Sequence, residues 1–180
     1  MVRADQKIGM AFAIAATITL VGCAATNDPT TQQTLVQSKG VTQFLRNEVA
    51  SRVPTAALLN VEETEDKSYG CGTDANSKTR FWQSGIEFNI NSGEAANVQA
   101  IATKLIKSFE GEGWDATTQL GSGSSTSLMQ NKSSKQEMTV SVTEDDNSDG
   151  LGAMIGVRVA GPCVKTDGPK SEEVTELEGD

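Results

Sequence analysis

Apolar and polar positions alternate along the chain in a few distinct rhythms, and these predict most of its elements. Ile8 to Val21 is a charge-free apolar run rich in Ala, Ile and Phe. Beyond it, Asp28-Pro29 offers a helix N-cap with proline at the first helical position, and Thr30 with Gln33 fits a capping box. A helix is expected to follow, with Val41, Phe44, Leu45 and Val49 forming one apolar stripe opposite Arg46 and Glu48, and Pro54 ending it. Ala57 to Val61 reads as a short strand, and Glu62 to Arg80 as a polar loop that holds Cys71 between two glycines. From Phe81 to Asn91 the side chains alternate, with Trp82, Ile86, Phe88 and Ile90 on one face, which predicts a half-buried strand.

Asn91 or Ser92 then caps a second helix in which Val98, Ile101, Ala102, Leu105, Ile106 and Phe109 follow a 3.6-residue period. Gly111 and Gly113 stop it, and Trp114 to Leu120 turns back as an alternating strand. Thr126 to Gln130, Gln136 to Thr143 and Leu151 to Ala160 alternate in the same way between turn-forming stretches, as consecutive antiparallel hairpins would. Residues 165–180 are acidic and without period, the composition of a disordered tail. The sum is an α+β domain over 32–164, an antiparallel sheet of about five or six strands with helices packed on one face and the other face open to water. Glu137, Thr139, Ser141 and Thr143 would lie on that open face with Gly152, Gly156 and Arg158.

Composition narrows what such a domain can do. The 180 residues contain no histidine, which removes Ser-His-Asp and Cys-His catalysis, His-ligated metals and a histidine pH switch. A formal net charge of -9, with no basic cluster to offset it, repels phosphate backbones, so no nucleic-acid partner is expected. Aromatic residues make up only 4% of the chain, little surface for a sugar cleft.

The most specific signal lies at the N-terminus. Arg3 and Lys7 precede the apolar run, the arrangement of an export signal, and the run is short of the roughly 20 residues a spanning helix needs. Leu20-Val21-Gly22-Cys23 follows. These four residues resemble the lipobox of bacterial lipoproteins, in which a peptidase cuts in front of a diacylglyceryl-modified cysteine. The resemblance implies a signal peptide over 1–22, a lipid anchor on Cys23, and a membrane partner reached through that anchor on the extracytoplasmic face of the cell membrane. Two acyl chains hold a protein far more firmly than one, since each buried CH₂ contributes about 0.8 kcal/mol. Residues 23–31 are then a lipidated N-terminus and spacer, with small polar residues through Thr31. At pattern level, residues 81–164 are also similar to small secreted lipoproteins of actinobacteria.

With Cys23 taken by lipid, Cys71 and Cys163 remain to pair in a compartment where disulfides persist. Other chemistry is weaker. Asp145, Asn147, Asp149 and Gly150 fit the start of a calcium loop, but its twelfth position is Gly156 where a bidentate Glu is required, so a polar hairpin turn is the better reading and no metal is assigned. Gly121 to Ser125 lacks the Gly-Lys-Ser/Thr of a phosphate cradle and reads as a hairpin loop. Glu62 with Glu63, or Glu110 with Glu112 and Asp115, are the carboxylate groups that could serve a hydrolase. Trp82 and Trp114 are expected in the core, and the tail acids from Glu172 to Asp180 on the surface. No cofactor or catalytic residue is assigned. The expectation is a non-enzymatic, membrane-anchored cell-envelope lipoprotein, a binding or accessory module that presents its sheet to an envelope protein or a small ligand; the alternatives are a carrier holding an apolar ligand between helix and sheet, and a carboxylate-dependent hydrolase.

Overall fold

The computed structural model describes residues 33–74, 76–134, 136–144 and 152–179. The signal, Cys23 and the spacer lie outside them, as do Asp145, Asn147 and Asp149. The elements run α1 (Leu35–Arg52), β1 (Leu58–Gly70), β2 (Thr79–Ile90), α2 (Val98–Glu110), β3 (Trp114–Gly121), β4 (Ser124–Asn131), β5 (Glu137–Thr143), β6 (Met154–Ala160), β7 (Val164–Lys165) and α3 (Glu172–Glu178). Six strands form one antiparallel sheet in the order β1-β2-β6-β5-β4-β3, and the two-residue β7 extends it beside β2. The α+β architecture read from the sequence is therefore present, with the sheet dominant.

The alternation in the strands sorts the two faces. Ile86, Val157, Val140 and Ser127 stand in register across four strands and are all buried under the helices. One residue along, Gly85, Arg158, Thr139 and Leu128 occupy the other face. α2 supplies the predicted stripe: Val98, Ile101, Ala102, Leu105 and Phe109 are buried, and Phe109 meets Trp114 edge to face at 5.7 Å. Gly113, at φ 90°, makes the left-handed turn from α2 into β3 that a side chain would strain.

Three expectations differ from the structure. First, α1 begins at Leu35 behind a Thr34 to Gln37 capping box, and its buried face is Leu35, Ser38, Thr42, Arg46 and Val49. Phe44 is 64% exposed, so the helix is turned by about a quarter from the stripe that hydrophobicity suggests. The cause is close approach. A Cβ on Gly161 would collide with the Ser38 hydroxyl, so only small residues on the helix let it settle here, and Thr42 hydrogen-bonds Ser84 at 3.0 Å across the contact. Second, β1 continues through most of the segment expected as a loop, because its backbone pairs with β2 from Leu58 to Gly70 and its acids find polar partners on both faces, Glu63 with Arg46, Glu65 with Gln83 and Asp66 with Ser84.

Third, the expected disordered tail over 165–180 carries structure. Lys165 belongs to β7, and α3 lies between an N-cap at Ser171 and Gly179 in the left-handed conformation. Val174 is 1% exposed in a second small core with Leu35, Trp82 and Val164, flanked by Leu177. Glu178 accepts from both the backbone N–H and the hydroxyl of Ser68, and Lys39 donates to the Leu177 carbonyl. Two apolar residues and one acid docked on β1 and α1 are enough to place a helix that has no period of its own.

Candidate functional site

Cys71 and Cys163 form a disulfide with a sequence separation of 92. Cys71 follows β1 and Cys163 precedes β7, and both strands pair with Arg80 of β2 next to the cysteines, so the bridge closes one end of the sheet beside Phe81. From there a depression of about 220 Å³, lined by Gly161 and the two cysteines, meets one of about 420 Å³ on the open face, and the two share Phe81, Glu137 and Ala160. Together they make a groove that the hairpin register builds: Tyr69 and Phe81 are paired on β1 and β2, Gln83 and Ala160 on β2 and β6, Ala160 and Glu137 on β6 and β5.

The groove has an apolar side and a polar side. Tyr69 and Phe81 stack with ring centroids 5.8 Å apart, and Lys67 lies 5.2 Å from the Tyr69 ring on the outer side. Glu65, whose side chain is 15% exposed, accepts from the Tyr69 hydroxyl and from the Gln83 amide. The Arg158 guanidinium stands 3.7 Å from the same carboxylate and is 70% exposed. Gly85 permits this crowding, since a Cβ there would lie 2.6 Å from the Thr64 hydroxyl. Glu65 is thus saturated with donors and acts as a positioning group. Arg158, Glu137 and Thr139 are left to meet whatever enters. Aromatic faces beside a guanidinium and an outward carboxylate suit reversible recognition of a polar surface. Of these residues, Glu137, Thr139 and Arg158 are legible on the open face from the sequence; Glu65 and Tyr69 fall in a segment whose polarity reads as a loop, and Phe81 joins them only through the pairing of β1 with β2.

A second polar cluster lies on the other side of the sheet, under α1. Asp66 accepts from Trp82 Nε1 at 2.7 Å, from Ser84 at 2.8 Å and from Gln43 at 2.6 Å. Burial alone would push its pKa up, but those three hydrogen bonds and the nearby Arg46 outweigh it and hold the carboxyl below its ordinary value. Arg46 in turn bonds Glu63 at 3.0 Å. This cluster locks α1 to the sheet.

The carboxylates considered for hydrolysis are dispersed among separate partners: Glu63 with Arg46, Glu62 with Asn60, Glu112 with Arg52, Asp115 with Lys132. Between α2 and the β3–β4 hairpin lies a groove of about 250 Å³ lined by Ala102, Ile106 and Leu120 together with Thr118, Ser125 and Ser127. Trp82 and Trp114 are both buried. Among the described residues no three His, Cys, Asp or Glu are grouped to hold a metal ion, and no helix is long and apolar enough to cross a membrane. Compared with protein families, curated proteins and solved structures, the chain matches none.

Proposed function

We propose that the chain is a cell-envelope lipoprotein, anchored through diacylglyceryl Cys23 on the extracytoplasmic face of the membrane, that binds an envelope protein by the groove on its open sheet face and performs no chemistry. The observation that carries the anchoring is Leu20-Val21-Gly22-Cys23 directly behind a basic lead and a short apolar run. The Cys71–Cys163 disulfide supports it, because such bridges persist outside the reducing cytoplasm. The groove supports the binding role. Its aromatic pair and exposed Arg158 face outward with no partner strand or helix over them among the described residues.

The test of the anchor is Cys23→Ser, which is expected to abolish lipid labelling and release the protein from the membrane fraction or leave it unprocessed. Retention at the mature, lipid-labelled mass would show the reading to be wrong. In the same membranes, the lipidated protein used as bait should retain its partner, and Arg158→Glu should lose it; a partner held equally by both does not use the groove.

A further inference from the structure

The two edges of the sheet are guarded very differently. β1 carries Glu62, Glu63, Glu65, Asp66 and Lys67, its pairing with β2 shifts register twice, and α3 takes up the Ser68 N–H through Glu178. Such charges and irregularities keep an edge from pairing with another chain. β3, at the opposite edge, carries one charge, Asp115, which pairs with Lys132, and no register shift. From Ala116 to Gly121 it holds no charge and no proline, its register with β4 is unbroken, and among the described residues no strand pairs with its outer side. Leu120 on this strand is 85% exposed.

The register states which backbone groups are unpaired. Ser122-Gly123 is a two-residue turn, Gly123 having φ 64°, so Gly121 and Ser124 face each other as a hydrogen-bonded pair, and so do Gln119 with Thr126 and Thr117 with Leu128. The N–H and C=O groups of Ala116, Thr118 and Leu120 therefore point away from β4. These three positions are symmetric about Thr118.

We propose that β3 pairs antiparallel with β3 of a second copy of this chain, about a two-fold axis through Thr118, to join the two sheets edge to edge. Thr118 then faces Thr118, and Ala116 faces Leu120 of the second copy. Every outward N–H and C=O of the three residues finds a partner. Residues opposite each other in an antiparallel ladder share a face, so both copies keep their helices on one side and their open grooves on the other. Leu120 comes to rest over the small Ala116 of the second copy, at the mouth of the groove walled by Ile106. Charge also selects this edge. A chain with a net charge of -9 repels its copy wherever acids meet, and Ala116 to Gly121 is a neutral strip. A second copy offers the same neutral strip, and an isologous pairing makes the Leu120-to-Ala116 contact twice.

Sedimentation equilibrium of the full chain, disulfide intact, in a density-matched detergent tests this. The unaltered chain is expected to show a monomer–dimer equilibrium. Thr118→Pro removes an outward N–H at the axis in both copies and leaves the β3–β4 ladder whole, so association should weaken by about tenfold or more. It also removes the Thr118 to Ser127 hydroxyl contact, so Leu120→Lys, at an exposed position, is the second variant and should weaken association as well. Leu59→Lys, on the 73% exposed β1 position, should leave the dimer unchanged. A chain that stays monomeric overturns the proposal, as does a dimer indifferent to both β3 variants or one weakened equally by Leu59→Lys.

Discussion

Asp66 shows how much one side chain decides here. It sits at the contact of α1 with β1 and β2, where Ser38, Thr42 and Ser84 are fully buried and the hydrophobic contribution is small. Its carboxylate takes up the indole N–H of Trp82 and the hydroxyl of Ser84, neither of which has access to water. Asp66→Ala would leave the Trp82 indole N–H without an acceptor and the Ser84 hydroxyl with Thr42 alone, and is expected to lower stability by about 2 kcal/mol, read from urea unfolding. Because its pKa is held down in the folded state, the unfolded chain binds the proton more readily. The stabilisation is therefore complete above the ordinary carboxylate pKa of about 3.9 and is lost as pH falls through the lower folded value. Urea midpoints followed downward from neutral pH should drop more steeply below that point in the unaltered protein than in Asp66→Asn.

At the scale of elements, local pattern and burial coincide in α2 and diverge in α1 and α3. In α2 the buried face and the apolar face coincide, so period alone identified it. α1 puts Ser38, Thr42 and Arg46 inward and Val36 and Phe44 outward, because Gly161 and Ser84 leave room for small side chains only and Asp66 and Glu63 supply polar partners. Nothing in the local pattern announces a polar interface. For α3 the signals were present, an N-cap at Ser171, acids in the first turn and Gly179 after the end, but a seven-residue helix is too short to be stable without docking. Its anchor is Val174 against Trp82. Val174→Ala removes two methyl groups from a buried site and should cost about 1–2 kcal/mol, with Trp82 fluorescence shifting red as α3 loosens. A spectrum and unfolding curve identical to the unaltered protein would mean that α3 does not cover Trp82 in solution.

For the whole molecule, the disulfide joins the turn before β2 to the segment after β6 and so spans nearly the entire sheet in sequence. Closing so long a loop restricts the unfolded chain, a stabilisation of about 4–5 kcal/mol on the chain-entropy estimate, so urea midpoints should fall sharply with reductant or in Cys71→Ser, Cys163→Ser. The domain is small and polar enough for that to be a large part of its margin. What the sequence determined by itself was whatever repeats or spaces itself locally: the alternating strands from Phe81 onward, α2, and the α+β class that follows from their order, with Cys71 and Cys163 the expected pair. The tertiary structure alone decided where polar residues go inward, how far β1 runs beside β2, and that the acidic end folds back as α3. It also brought Glu65, Tyr69 and Phe81 to Arg158 and left β3 open. Those outcomes depend on partners distant in sequence, a glycine under a helix, a valine against a tryptophan, a strand paired across a sheet, and no local period records them.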